Sequence, residues 1–543
     1  MKEFTKTIFL IVILALFAFS CGSKKEGVED DDSSKTDTAG EETPDENGKT
    51  PDENGNGSED VDDKNETPDE AADVDEEEPD EEPDEEPDDV VEPPYDPRVE
   101  PALCDMEEYK WLTQEELNQQ NKGLGFILEA QELLTDAKGI AARKKAALAT
   151  LMLTNDKVKD RNIKRTPQHD VKIYRVKYQT QDKGKLVEAT GIISMPDVKN
   201  DQTFPVLSIL HGTASGFHGN CAPSYDTSID KGEAVQVGVL FASFGYIVVG
   251  PDYLGLQSFG GEAEEMHPYL IAEPTAIAVL DMMRAARNLI DIKGIKAKPG
   301  DNAIVGGSQG GHAAAFTTRY APYYAPELVI KGASWGIPPT DLLAHAKYAL
   351  DDAVKASANT ALFFVTSNSW YGGGNPDNLA DVFVSPFYLD LLDAITADDC
   401  NMSKTVKGIK TLEELFSEEL LAEAPNEPFL GNMPPWGCYA VANSLPDTPL
   451  PRIDEIPALM VLGENDELVN PDIEKESFQK LCDQGYKIDY RMCKNAGHTD
   501  GFAWSLEEQV DWIDARLRGE PMVNPCVITE PICCGNTPSG KCE

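Results

Sequence analysis

Three residue types that together can do nucleophilic chemistry stand along this chain in the order serine, aspartate, histidine. The serine is Ser308, within Ala303-Ile304-Val305-Gly306-Gly307-Ser308-Gln309-Gly310-Gly311-His312. The pattern Gly306-x-Ser308-x-Gly310 suits a sharp strand-to-helix turn, because a serine in a strained backbone conformation needs neighbours without side chains. Such a turn exposes the hydroxyl and aims backbone N–H groups beside it. The helix that follows puts the positive end of its dipole where a negative oxygen would develop. Apolar residues precede the motif and an alanine-rich run follows it, which is the strand, turn and helix setting the motif requires.

A serine hydroxyl is a weak nucleophile until a base takes its proton and a carboxylate fixes the tautomer of that base. After the apolar run 457–462 comes Gly463-Glu464-Asn465-Asp466-Glu467-Leu468-Val469, which sets Asp466 on a loop at the carboxyl end of a strand. Asn495-Ala496-Gly497-His498-Thr499-Asp500 then sets His498 in a small-residue turn ahead of the last long helix. An aspartate in a turn is ordinarily a cap and a lone histidine ordinarily structural. Their positions, one strand apart and downstream of the serine turn, make Asp466 the expected acid and His498 the expected base. Glu464 and Asp472 are the rivals for the acid. The oxyanion of acyl transfer also needs donors. The run 205–210 leads into His211-Gly212-Thr213-Ala214-Ser215-Gly216, where Thr213 or Ala214 is expected to supply one backbone N–H and Gln309 the other. His211 is expected to shape that loop, since His498 already has the role of base.

The elements that must hold these residues are legible as patterns. Residues 171–178 alternate as a half-buried strand, Asp182-Lys183-Gly184 makes a turn, and 187–194 completes an antiparallel hairpin. Short apolar runs at 204–210, 246–250, 302–306, 330–335 and 457–462 alternate with helical stretches at 232–244, 273–288, 310–320 and 505–518. That alternation predicts an α/β protein with a mostly parallel central sheet covered by helices on both faces. A hairpin feeding such a sheet, with the serine turn on a central strand, is the order of an α/β-hydrolase fold. The domain is expected over 166–520, with a mostly helical cap inserted at about 337–454. Aromatics in that insertion, Phe363, Phe364, Trp370, Tyr371, Phe383, Phe387, Tyr388, Trp436 and Tyr439, would line an apolar pocket or pack the cap itself. Gly372-Gly373-Gly374 would be a turn or a hinge. Leucines at helical spacings between 107 and 157 predict a helical extension over 101–165.

The charge is unevenly spread. The chain carries a formal net charge of −50, and residues 22–100 hold 35 Asp and Glu against 6 Lys and Arg. With few large apolar residues, that stretch is expected to be a disordered acidic tether. An acidic tail and an acidic body exclude nucleic acid as a partner. Lys2 and Lys6 precede the apolar run 8–19, which has the length of a signal-peptide core. Ser20-Cys21-Gly22 then resembles a bacterial lipoprotein cleavage site, so 1–21 reads as a signal peptide and Cys21 as a lipidated anchor to the membrane of the cell envelope; the alternative is an ordinary secretory signal and a secreted protein, and either way the chain is expected to be exported. The other ten cysteines suit up to five disulfides in an exported chain. Cys482 with Cys493 is the pair the local pattern favours. The tail 521–543, with four cysteines, reads as a small stapled appendage, with zinc as the rival reading.

Several stretches taken together resemble the secretory lipase family and related bacterial esterases. They are Asp252-Tyr253-Leu254-Gly255-Leu256, His267-Pro268-Tyr269-Leu270, the helix 276–287, Gly306-Gly307-Ser308-Gln309-Gly310-Gly311, and the late Asp466 and His498. The resemblance covers about 171–518. It implies hydrolysis of small-molecule or lipid carboxylic esters without cofactor or metal, with Ser308, Asp466 and His498 matching the family's triad. The tether, the segment before Val171 and the cysteine-rich tail lie outside it. Two other readings are a peptidase of the same superfamily and a binding module on a hydrolase scaffold that has lost its activity.

Overall fold

The computed structural model describes residues 99–100, most of 104–134, residues 143 and 144, and 165–542 apart from short gaps at 229–231, 373–375, 386, 407–408, 454, 536 and 539. The expected signal peptide, Cys21, the acidic tether, most of 135–164 and most of the Gly372-Gly373-Gly374 turn lie outside the described residues.

Val99–Glu100 (β1) and Tyr109–Lys110 (β2) pair with each other, and Gln114–Asn118 (α1) is a short helix. The main sheet then begins. Its strands are Ile127–Glu132 (β3), Val171–Asp182 (β4), Lys185–Pro196 (β5), Gln202–Leu210 (β6), Ile247–Pro251 (β7), Ala297–Gly307 (β8), Ile330–Gly336 (β9), Ala458–Gly463 (β10) and Ile488–Cys493 (β11). They lie in the order β11-β10-β9-β8-β6-β7-β5-β4-β3. Neighbours from β11 through β7 are parallel, while β7, β5, β4 and β3 pair antiparallel.

The connecting helices are Glu233–Ser243 (α2), Ala272–Lys293 (α3) and Gln309–Tyr324 (α4). Alternate side chains of β4 show how they cover both faces. Val171 and Ile173 pack in one buried cluster with Val235 and Phe241 of α2. On the opposite face Tyr178 donates from its hydroxyl to the Ala278 carbonyl of α3 at 2.9 Å, and Thr180 donates to Asp281 at 2.6 Å. This period of two, with both faces buried, is what makes the central strands near-continuous apolar runs. From β6 the chain steps outward through α2 to β7, then returns through α3 to β8 on the other side of β6. Helices therefore leave adjacent strands in opposite directions at β6 and β8, which opens a crevice at their carboxyl ends.

Between β9 and β10 the chain forms Leu342–Asp351 (α5), Ser357–Tyr371 (α6), Phe387–Ile395 (α7), Ser403–Val406 (α8), Glu418–Glu423 (α9) and Trp436–Ala442 (α10). This insertion has its own core. Phe364 meets Phe416 and Trp436 edge-on, Phe383 stacks on Phe416, and Tyr371 stacks on Tyr439. Packing the insertion is thus the main task of its aromatics. After β10 come Pro471–Asp483 (α11), then β11, His498–Trp504 (α12) and Leu506–Leu517 (α13).

Two expectations need correction. The helical extension is not what forms at 127–132. Those residues are strand β3, because β4 offers a free sheet edge whose unpaired backbone groups recruit the preceding segment, and Leu133 and Leu134 then bury against Val171 and Ile173. The cysteine pairing also differs. Cys482 bonds Cys526 and Cys493 bonds Cys534, while Cys533 bonds Cys542. The tail is therefore no separate appendage. It runs beside the β11 edge, with Cys526 N–H donating to Ile488 and Ile532 N–H to Met492. Cys104–Cys438 and Cys221–Cys400 complete five bridges, which leaves none of these ten thiols free for zinc.

Candidate active site

β8 ends at Gly307 and α4 begins at Gln309, so Ser308 alone makes the turn, with φ 58° and ψ −120°. That backbone is strained for an L residue and persists only where its surroundings over-determine it. Here Ser308 N–H donates to the Gly336 carbonyl at 2.9 Å, and its own carbonyl accepts from His312 N–H at 3.0 Å. A Cβ on Gly306 would lie 2.0 Å from the Gly310 oxygen, and one on Gly310 would lie 2.1 Å from the Leu210 oxygen. The glycines are needed because strand, turn and helix pass within contact of bare backbone.

His498 opens α12 and is buried, its backbone N–H donating to Glu467 Oε2 at 3.1 Å. Its Nε2 stands 2.9 Å from Ser308 Oγ, and its Nδ1 stands 2.9 and 2.8 Å from the two oxygens of Asp466. A carboxylate only accepts, so Nδ1 carries the proton and Nε2 presents its lone pair to the serine hydroxyl. Asp466 also accepts the N–H groups of Leu468 and Val469, each at 2.9 Å, and its side chain is only 1% exposed. The rivals lie elsewhere. Glu464 accepts from Asn495 N–H at 2.7 Å, and Asp472 pairs with Lys475.

The loop after β6 runs beside the serine, since a Cβ on Gly212 would come within 3.7 Å of Ser308 Cβ. Thr213 and Ala214 follow it and are both buried. Thr213 Oγ1 is 3.0 Å from the Tyr269 hydroxyl, which accepts from Asn359 Nδ2 at 2.9 Å. His211 stacks on Tyr253 with ring centroids 4.2 Å apart, and its ring nitrogens lie 2.7 and 3.2 Å from the carbonyls of Gly212 and Asp252. Burial pushes its pKa down to about 4, so it stays neutral and packs the loop.

Some neighbours carry no motif of their own. His267 Nδ1 is 2.9 Å from the Leu254 carbonyl and donates to it, so its Nε2 accepts from Gln309 Nε2 at 2.8 Å. Burial holds His267 neutral, with a pKa pushed down to about 3. This pair anchors the first residue of α4 to the Asp252–Leu256 loop. The sequence marks His267 only through its place beside Pro268 and Tyr269, and neither Glu467 nor Asn359 is marked at all.

Ser308 and Gln309 open onto a narrow cavity, partly continuous with solvent, walled by Leu270, Leu342 and Phe363 among others. Its largely apolar wall suits an apolar group of a small organic molecule. The arrangement can take a proton from a serine, hold the resulting imidazolium against a carboxylate, and receive an apolar group beside the reacting oxygen.

A family model described as secretory lipase matches residues 226–368. Lipase 10 of Candida albicans is 24% identical over 331 residues, which is 57% of this chain and 65% of that protein. Lipase A of Arthroderma benhamiae is 25% identical over 370 residues, 65% of this chain and 72% of its own. The chain thus spans just under two thirds of the first of these relatives. Among solved structures, the ligand-bound rice cell wall degrading esterase LipA from Xanthomonas oryzae superposes with a TM-score of 0.58 at 19% identity, over 74% of this chain and 100% of its own. Candida antarctica lipase A in its closed state gives 0.56 at 17% identity, over 78% and 89%. The fold is the α/β-hydrolase fold of these proteins, as the resemblance in the sequence implies.

Proposed function

We propose that the protein is an exported serine hydrolase that cleaves carboxylic esters through an acyl-enzyme. The observation that carries this reading is the unbroken chain of contacts from Ser308 Oγ through the His498 ring to Asp466. His498 Nε2 removes the hydroxyl proton as Ser308 Oγ attacks the ester carbonyl carbon. Asp466 stabilises the imidazolium. The carbonyl oxygen, now an oxyanion, is held by the N–H of Gln309 and that of Thr213 or Ala214, helped by the positive end of α4. His498 returns its proton to the departing alcohol. Water, deprotonated by the same imidazole, then releases the acid and restores Ser308.

The name secretory lipase attached to the matching family, the names of the lipase relatives and the apolar cavity beside Ser308 all support ester hydrolysis. Five disulfides support export, since such bonds persist in oxidising compartments. We assign 1–21 as a lipoprotein-type signal peptide, Cys21 as the lipidated anchor, 22–100 as a tether, and 166–520 as the catalytic domain with its cap at about 337–454. Ser308→Ala is expected to abolish turnover of p-nitrophenyl esters with the circular dichroism spectrum intact, and to end labelling by a fluorophosphonate probe. Turnover that survives in that variant, or cleavage of chromogenic peptides in place of esters, would overturn the proposal. Cys21→Ser, expressed in a bacterium, is expected to move the protein from the membrane fraction to the soluble fraction. Equal membrane association of the two forms would rule out the anchor.

A further inference from the structure

Leu342, His345 and Ala346, three and four residues apart on α5, share one helix face and line the same cavity as Ser308. His345 therefore sets an imidazole into a wall otherwise rich in aliphatic and aromatic groups. It is firmly held there. Its Nε2 is 2.9 Å from Glu474 Oε1, and Glu474 has no exposed surface. The same carboxylate accepts from Thr340 N–H at 2.9 Å and from the Thr340 hydroxyl, which also contacts Ser477 Oγ at 2.7 Å.

Burying a carboxylate beside a pocket is costly unless every acceptor site is used, and this one is surrounded by donors. The imidazole cannot turn without leaving that carboxylate short of a partner. Nε2 must donate to Glu474, so Nδ1 is the nitrogen left over. Among the described residues Nδ1 has no hydrogen-bond partner. A hydrocarbon chain filling the cavity would strip water from it and offer nothing in return, at the cost of an unpaired polar atom. A hydroxyl can satisfy it in either charge state of the ring, donating to the bare nitrogen or accepting from N–H.

We infer that His345, oriented by Glu474, is a specificity-determining residue, and that the preferred substrates are aliphatic esters carrying a second, free hydroxyl group that reaches Nδ1. This rests on the ester-hydrolase reading of Ser308. The hydroxyl could belong to the acyl or to the alcohol part of the ester, and the two are separable by experiment.

The test uses the full-length, oxidised protein and a pH-stat. One arm compares ethyl esters of ω-hydroxyalkanoic acids of six to ten carbons with the matching ethyl alkanoates. The other compares butanoate monoesters of diols with the matching alkyl butanoates. In one arm, at a preferred chain length, native kcat/KM is expected to favour the hydroxylated ester by about tenfold, and His345→Phe to bring that ratio to about one. A purely structural pair would lower both rates together and leave the ratio as it was. If His345→Phe fails to fold by near-ultraviolet circular dichroism, the double variant His345→Leu, Glu474→Gln, which leaves no buried charge unpaired, gives the same readout. A native ratio near one in both arms, or a ratio that survives in the folded variants, overturns the inference. Absence of hydrolysis of every plain and hydroxylated ester by the native protein would overturn the hydrolase reading itself, and this inference with it.

Discussion

Four carboxylates, Glu464, Asp466, Glu467 and Asp472, stand within nine positions of one another, and their different surroundings give them different tasks. Asp466 meets the ring of His498, and Glu467 meets only its backbone N–H. Glu467 is partly buried, yet that N–H and Lys355 hold its carboxyl below the usual range. If Asp466 sets the tautomer and steadies the imidazolium, Asp466→Asn should lower kcat by about 10³ to 10⁴-fold, since the amide would place an N–H toward Nδ1 and favour the wrong tautomer. Glu467→Gln retains an acceptor for the His498 N–H and should change kcat by less than about fivefold. Steady-state kinetics on one p-nitrophenyl ester measures both, and equal losses would contradict this division of roles.

At the scale of elements, the turn between β8 and α4 is held open by the absence of side chains. Gly310 faces the Leu210 carbonyl on β6, and Gly306 faces Gly310 itself. Neither contact involves a flexible side chain that could give way. Gly310→Ala should therefore push α4 off β6, destabilising the domain by about 2 kcal/mol or more and moving the Ser308 hydroxyl away from His498. Urea denaturation and ester turnover together check this. An active variant of native stability would show that the turn has slack these contacts deny. Gly307 and Gly336 make the same demand from the side of α12, since a Cβ on either would strike the ring of Phe502.

Across the whole molecule, covalent and buried polar ties join parts that the sheet alone would leave apart. Cys104–Cys438 links the segment before β3 to the inserted helices, and Cys221–Cys400 links the loop after β6 to them. Asp252, fully buried, binds that loop through Ser224 N–H at 2.8 Å and the hairpin through Thr190 at 2.7 Å. Burial pushes its pKa up to about 6 from an ordinary 3.8, against the opposing pull of its bonds from Ser224, Thr190 and Ser258. Between those two values the folded protein keeps a proton that the unfolded chain has lost. Native stability is therefore reduced as pH rises through that window, by at most about 1.4 kcal/mol per pH unit from this group. Asp252→Asn does not titrate. Its stability relative to the native protein should climb between about pH 4 and pH 6 and level off on either side. Urea midpoints at pH 4, 5, 6 and 7 measure the difference, and a constant offset would contradict the assignment.

The turn at Ser308, the hairpin before it and the alternation of short strands with helices were written in the chain alone, because each is a local pattern. A glycine-flanked turn and a repeat of two or of 3.6 need no distant partner to be recognised. Tertiary structure decided the rest. Strand β3 formed because β4 presented a free edge, not because residues 127–132 carry a strand pattern of their own. Cys493 lies eleven positions from Cys482 yet bonds Cys534, because the tail returns along β11. Ser308 and His498 are 190 positions apart, and which carboxylate reaches that imidazole depends on how two loops leave neighbouring strands. His345 and Glu474 likewise carry no signal in the sequence. Their pairing exists only because an inserted helix and α11 close over the same buried space.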